Sequence, residues 1–142
     1  MAKFRFRLES VLKLKEEQKK QLELELAQIR EKKRIAEFDL NTIFHNKAGV
    51  LDKIHYSGKI QVSYYQADYY YLDSLEKQID NQKKKIERIA KLEAGVISEL
   101  LKISKEKKII EKLKEKKKEA FDKEALHLEN LFLDDISQRL KK

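Results

Sequence analysis

The chain has 142 residues, of which 41% are Asp, Glu, Lys or Arg; it contains no proline or cysteine and three glycines, and its formal net charge is +8. So high a charged fraction, against about 25% in average proteins, argues against a thick globular core, and the scarcity of turn-forming residues leaves long uninterrupted helices. Without cysteine there is no disulfide scaffold, thiolate metal site or cysteine nucleophile, and no apolar run reaches the roughly 18 residues of a membrane span.

At the N-terminus, Phe4-Arg5-Phe6-Arg7-Leu8 alternates as a strand would, but it runs directly into Val11, Leu12 and Leu14, which favours a helix start. From Leu8, alternating steps of four and three reach Leu12, Leu22, Leu26, Ile29, Ala36, Leu40, Ile43, Val50 and Ile54. The polar exceptions, Lys15, Lys19, Lys33 and Lys47, can lay their methylenes along a seam and keep the ammonium in water. This heptad spacing predicts a first helix over about residues 3–55.

The periodicity breaks at Tyr56-Ser57-Gly58-Lys59, where a hairpin turn is expected. A second register, through Leu72, Leu75, Ile79, Ile86, Ile89, Val96, Leu100, Ile103 and Ile110, then predicts a second helix over about residues 60–139. Gly49 and Gly95 fall inside strong helical patterns and are read as tolerated, at about 1 kcal/mol each relative to Ala. The fold class is therefore all-α, a single-domain antiparallel two-helix coiled-coil hairpin whose second helix is the longer. Folding back at residue 57 or 58 would set residue i opposite residue 115 − i, so that Phe4 faces the neighbourhood of Glu111. Residues after about 112 would then lack a partner within the chain, leaving roughly 45 Å of the second helix projecting at 1.5 Å per residue.

Charge is unevenly placed. Residues 83–118 carry 14 basic and six acidic side chains, and residues 119–136 one and six. Glu87, Glu93, Glu99, Glu106, Glu111 and Glu115 interrupt the basic block, which reads more plainly as a solvated helix face than as a nucleic-acid site. His45, His55 and His127 have no zinc-ligand spacing, no phosphate-binding glycine loop is present, and Asp134 and Asp135 diverge by about 100° on a helix. A two-helix hairpin offers no water-excluding cleft, so neither catalysis nor a cofactor nor a metal is expected.

Two apolar patches stand out instead. Tyr64, Tyr65, Tyr69, Tyr70 and Tyr71 fall within eight residues just after the turn, and one seam cannot bury them all. With Phe44 on the facing stretch of the first helix, and Leu75 as a further member, they form a candidate interface. At the other end, Phe4, Phe6, Leu8 and Val11 are joined by Phe121, Leu128 and Phe132, which repeat at helical spacing on the projecting segment.

The sequence resembles the flagellar export protein family FliJ. The resemblance rests on Phe4-x-Phe6-x-Leu8-x-x-Val11-Leu12-x-x-Lys15, on Tyr71-x-x-x-Leu75-Glu76-x-x-Ile79, and on Glu111-Lys112-Leu113-Lys114 with Asp134-Asp135-Ile136, in that order over essentially the whole chain. Asp135, where the family more often has Glu, and Asp68, where an aromatic is expected, depart from it. The resemblance implies a non-enzymatic protein similar to the central stalk of a rotary ATPase. It further implies a cytoplasmic location, peripheral to the membrane-embedded type III export apparatus, with no insertion into the bilayer. Its paired termini (Phe4, Phe6, Leu8, Val11, Phe121, Leu128, Phe132) would enter the export ATPase ring. Its hairpin tip (Phe44, Tyr64, Tyr69, Tyr70, Tyr71, Leu75) would meet the cytoplasmic region of the large transmembrane export gate subunit, and its flank would escort export chaperones. The alternatives from other classes are a nucleic-acid-binding coiled coil and a homodimeric spacer.

Overall fold

The computed structural model describes residues 3–56 and 62–141, apart from the side chains of Tyr56 and of residues 62–65. It is an all-α antiparallel coiled-coil hairpin: helix α1 spans Glu9–Tyr56 (48 residues) and helix α2 the longer Val62–Leu140 (79 residues). The expected turn residues Ser57, Gly58 and Lys59 lie outside the described residues.

The four-and-three spacing is the burial pattern. Every α1 position on it, from Leu8 at the helix entrance to Ile54, is at least partly covered, whereas nearly every other α1 residue is exposed. On α2 the same holds from Asp68 through Lys114, including the polar positions Gln82, Glu93 and Lys107. Two helices can cover only one stripe of each other, so a 41% apolar chain keeps many apolar side chains in water.

The hairpin divides into two compact units. In the unit of residues 22–99, the seam buries Ala36, Leu72, Leu75, Ile79 and Val96. Polar seam positions are matched across it: Lys33 to Glu93 at 3.6 Å, Lys47 to Glu76 at 3.6 Å, and Lys53 to Asp68 at 3.9 Å. Such half-exposed pairs are worth about 0–1 kcal/mol each. Their larger effect is on register, because a slip would leave a lysine facing leucine.

In the unit of residues 1–21 and 100–142, Phe6 and Leu12 are buried and three ion pairs cross between the helices. These are Lys15 to Glu106 at 2.6 Å, Lys107 to Glu16 at 3.9 Å, and Lys114 to Glu9 at 2.7 Å.

These pairs correct the expected register. Lys15 meets Glu106 rather than residue 100, and Lys47 meets Glu76 rather than residue 68. Part of the shift comes from the helix ends, since α1 runs to Tyr56 and α2 starts at Val62, which moves the mirror point to about residue 59. The rest is side-chain direction. A helical side chain leans toward the N-terminus of its own helix, and in an antiparallel pair the two leanings displace the partner in the same sense.

The N-terminus differs from expectation as well. Helix α1 starts at Glu9, not near residue 3: residues 3–6 have no regular structure, Arg7 and Leu8 form a turn, and Glu9 N–H donates to the Phe6 carbonyl at 3.2 Å. Glu9 in the first turn suits the positive end of the helix dipole. The phenylalanine alternation, not the helical period, governs these residues, because Phe6 is buried and Phe4 reaches Phe121 of α2, with ring centroids 5.6 Å apart and planes tilted by 52°. The pairing of Glu9 with Lys114 already sets residue 4 opposite about residue 119, and a non-helical residue advances up to about 3.3 Å against 1.5 Å in a helix, so Phe4 reaches Phe121, well past the neighbourhood of Glu111. The partnerless stretch of α2 consequently starts after Phe121, not after residue 112; every described residue from Asp122 to Lys141 is exposed.

Candidate protein-docking surfaces

The surface at the paired termini is built by the extended N-terminal segment lying on α2. Phe4 and Phe121 are half-buried against each other, and Phe6 is only 9% exposed, so its ring serves packing and leaves little to offer a partner. Phe4, Arg5, Phe6, Glu9 and Lys114 line a shallow concavity of about 440 Å³, open to solvent. Leu8 is half-buried in the seam, while Val11 lies at its edge, 36% exposed.

Leu128 and Phe132 behave differently. Each is more than half exposed, on a stretch of α2 that also exposes Leu126, Leu131, Leu133, Ile136 and Leu140. Phe121, Leu128 and Phe132 continue the face that α2 presents to α1 further back. Six carboxylates between Glu119 and Asp135 share this segment with one lysine. The structure thus brings Phe4, Phe6 and Phe121 together and leaves Leu128 and Phe132 apart from them as bare anchors.

The second surface lies at the start of α2, in the unit of residues 22–99. Tyr69 and Tyr70 are 61% and 77% exposed and, with Gln66 and Asp73, line an open depression of about 300 Å³. Tyr71, on the flank, is 46% exposed. Tyr64 lies among the residues whose side chains are not described. Leu75 does not belong to this surface: at 2% exposure it is the most deeply buried leucine of the seam, and a partner could reach it only by opening the hairpin. Phe44 is 40% exposed, and its ring is covered by the Lys83 ammonium at 5.7 Å from the centroid, a cation–π contact.

Several exposed apolar residues of α1 stand outside the expected patches, among them Leu24, Ile35, Phe38 and Leu51. Phe38 is 65% and Ile35 47% exposed, with the Glu31–Arg34 ion pair (2.6 Å) one turn before Phe38. The signal was available, since both lie off the four-and-three seam of a highly charged helix.

Two carboxylates stand below their ordinary range, each through an ion pair. Glu106 is held below the usual carboxylate range, chiefly by the hydrogen bond from Lys15 and then by the charges of Lys15 and Lys102; Glu31 is lowered in the same way by Arg34. Both are ion pairs at the surface. Among the described residues no group of carboxylates and histidines could hold a metal ion, and no helix is long and apolar enough to cross a membrane.

The family model described as Flagellar FliJ protein matches residues 4–141. No curated protein and no solved structure matches the chain at a significant level.

Proposed function

The chain belongs to the flagellar FliJ family, a non-catalytic component of the flagellar export apparatus, and on that premise we propose that it works as a stalk between the export ATPase ring and the export gate. The observation that carries this reading is the partnerless stretch of α2 after Phe121, where Leu128 and Phe132 stand exposed at helical spacing. An amphipathic segment that the chain itself does not cover is suited to an external apolar socket. The ring contact consists of Leu128 and Phe132, with Phe4, Leu8, Val11 and Phe121 at its base; Phe6 supports it from within. A socket at the axis of a ring must accept a helix without locking to one subunit, and side chains of leucine and phenylalanine allow that, since dispersion contacts have little directionality.

The gate contact is the tyrosine surface. Tyr69, Tyr70 and Tyr71 present large apolar area with a polar tip, the composition of small protein interfaces; Tyr64 is assigned to the same contact by its place in the sequence, and Phe44, beside Lys83, is a further contact point on α1. Escort of export chaperones is assigned to the flank of α1 at Ile35 and Phe38, the exposed apolar pair on an otherwise charged stretch. In this reading the chain is cytoplasmic and is held at the membrane by its partners.

The test is co-purification with the flagellar export ATPase, with ATP hydrolysis measured with and without the chain. Stimulation by the full chain, lost when residues after Asp122 are removed, supports the stalk. Hydrolysis unchanged by the full chain overturns it. A mass of twice the chain with no effect on hydrolysis would favour the homodimeric spacer instead.

A further inference from the structure

Helix α2 sorts its charges by face. Between Leu100 and Lys118, the side turned to α1 carries Leu100, Ile103, Lys107, Ile110 and Lys114, all at least partly covered. The opposite side carries Lys102, Lys105, Ile109, Lys112 and Lys116, all exposed. At 100° per residue these five fall within an arc of about 80°, and at 1.5 Å per residue the line they form is about 21 Å long. The acidic residues of the same stretch lie outside this arc: Glu106 flanks it beside Lys102 and is bound to Lys15, Glu111 is bound to Lys107, and Glu115 borders a hollow with Leu12 and Glu16 of α1. Between residues 102 and 116 the glutamates that interrupt the basic block in sequence therefore leave one outer line that contains no carboxylate.

None of the four lysines of this line forms an ion pair among the described residues, in contrast to Lys107 and Lys114 on the inner side. Ile109 stands 67% exposed in the middle of the line, and Leu101, 59% exposed, lies beside it.

We propose that the line Lys102, Lys105, Ile109, Lys112 and Lys116 of helix α2 is a docking surface for an anionic lipid bilayer. A row of ammonium groups confined to one arc of about 80° on a helix is complementary to a flat negative surface, on which long, flexible lysine side chains can reach headgroups together. The row carries no aromatic residue on which the bases of a single strand could stack. Ile109 at its centre has no counterpart in phosphate recognition, whereas at a bilayer it enters the boundary between headgroups and acyl chains while the lysine stems snorkel beside it. No part of the helix spans the bilayer; the contact is electrostatic and lies in the plane of the surface. The inference rests on the charge arrangement of this helix and not on the stalk reading.

The experiment is flotation of the full chain with vesicles made of equal parts phosphatidylglycerol and phosphatidylcholine, beside vesicles of phosphatidylcholine alone. Binding is expected only to the anionic vesicles and should be lost at high salt, since an exposed contact is screened within a Debye length. Replacing Lys102, Lys105, Lys112 and Lys116 by Gln should weaken partitioning by about fivefold per lysine, while replacement by Arg preserves it. Ile109→Asn should weaken it severalfold. Gln and Lys have similar helix propensity, so helicity by circular dichroism should be unchanged in the Gln variant. Failure of the wild-type chain to float, equal binding by the Gln variant, or tighter binding to duplex DNA than to the vesicles in the same buffer would each overturn the proposal.

Discussion

Gln82 donates from its Nε2 to the backbone carbonyl oxygen of Ala36 at 2.9 Å, joining the two helices in the middle of the unit of residues 22–99. Ala36 is 1% exposed, so the helices approach closely where the seam holds its smallest side chain, and Gln82 is the polar group that fits the remaining space. That carbonyl belongs to the α1 helix interior, and the extra donor marks one register. Gln82→Ala should cost about 1 kcal/mol of unfolding free energy. Ala36→Leu should cost about 1–3 kcal/mol by forcing the helices apart. Urea unfolding followed by circular dichroism measures both, and an unchanged midpoint for either variant would remove the register role.

Seam and surface leucines separate in the same assay. Leu12→Ala and Leu75→Ala delete side chains that are 5% and 2% exposed and should each cost about 2–5 kcal/mol. Leu24→Ala, at 63% exposure, should stay within about 0.5 kcal/mol. Comparable losses at Leu24 and Leu75 would contradict the seam assignment.

Helix entropy gives a stabilising prediction. Gly49 and Gly95 are helical and exposed, and a Cβ built on either meets nothing within 4 Å. Replacing each by Ala should raise stability by about 0.5–1 kcal/mol, since the alanine fits and the unfolded chain loses freedom. Thermal unfolding of the double variant should show a higher midpoint; a lower one would mean that the glycines serve a bend or a contact.

Acidification should weaken the crossing ion pair of Lys15 and Glu106. The folded-state value of Glu106 is lowered by the Lys15 hydrogen bond, so its contribution is complete above the ordinary carboxylate value and is lost as the pH falls through the lower folded value. A double-mutant cycle with Lys15→Met and Glu106→Gln should show coupling at neutral pH that persists through the ordinary carboxylate range and fades only on further acidification. Coupling that never fades in acid would assign the contact to packing.

The ring pair of Phe4 and Phe121 fastens the N-terminal segment. Phe121→Ala should release it, so that trypsin cleaves after Arg5 and Arg7 faster than in the parent chain while overall helicity is kept. Equal cleavage rates would show that Phe6 alone holds the segment.

The helical class, the two seams and the greater length of α2 follow from sequence alone, because heptad periodicity is a local property: Leu12, Ala36, Leu75, Ile79 and Val96 fall on it and are buried. Even the seam lysines could be identified, since a 3.5-residue period is visible through four exceptions. What faces what was decided only by tertiary packing. The pairing of Lys15 with Glu106 depends on where both helices end and on the lean of each side chain, which no local pattern records. Leu75 could be placed on the seam, but only the packed structure showed it too deeply buried to join the tyrosine surface. The N-terminal phenylalanines carried two conflicting periods, and the packed structure takes the extended one, with Phe6 buried and Phe4 against Phe121. The charges of the basic block likewise have no face in one dimension; winding the chain at 100° per residue against a partner helix sets Lys107 and Lys114 beside carboxylates on the inner side and leaves Lys102, Lys105, Lys112 and Lys116 in one outer arc.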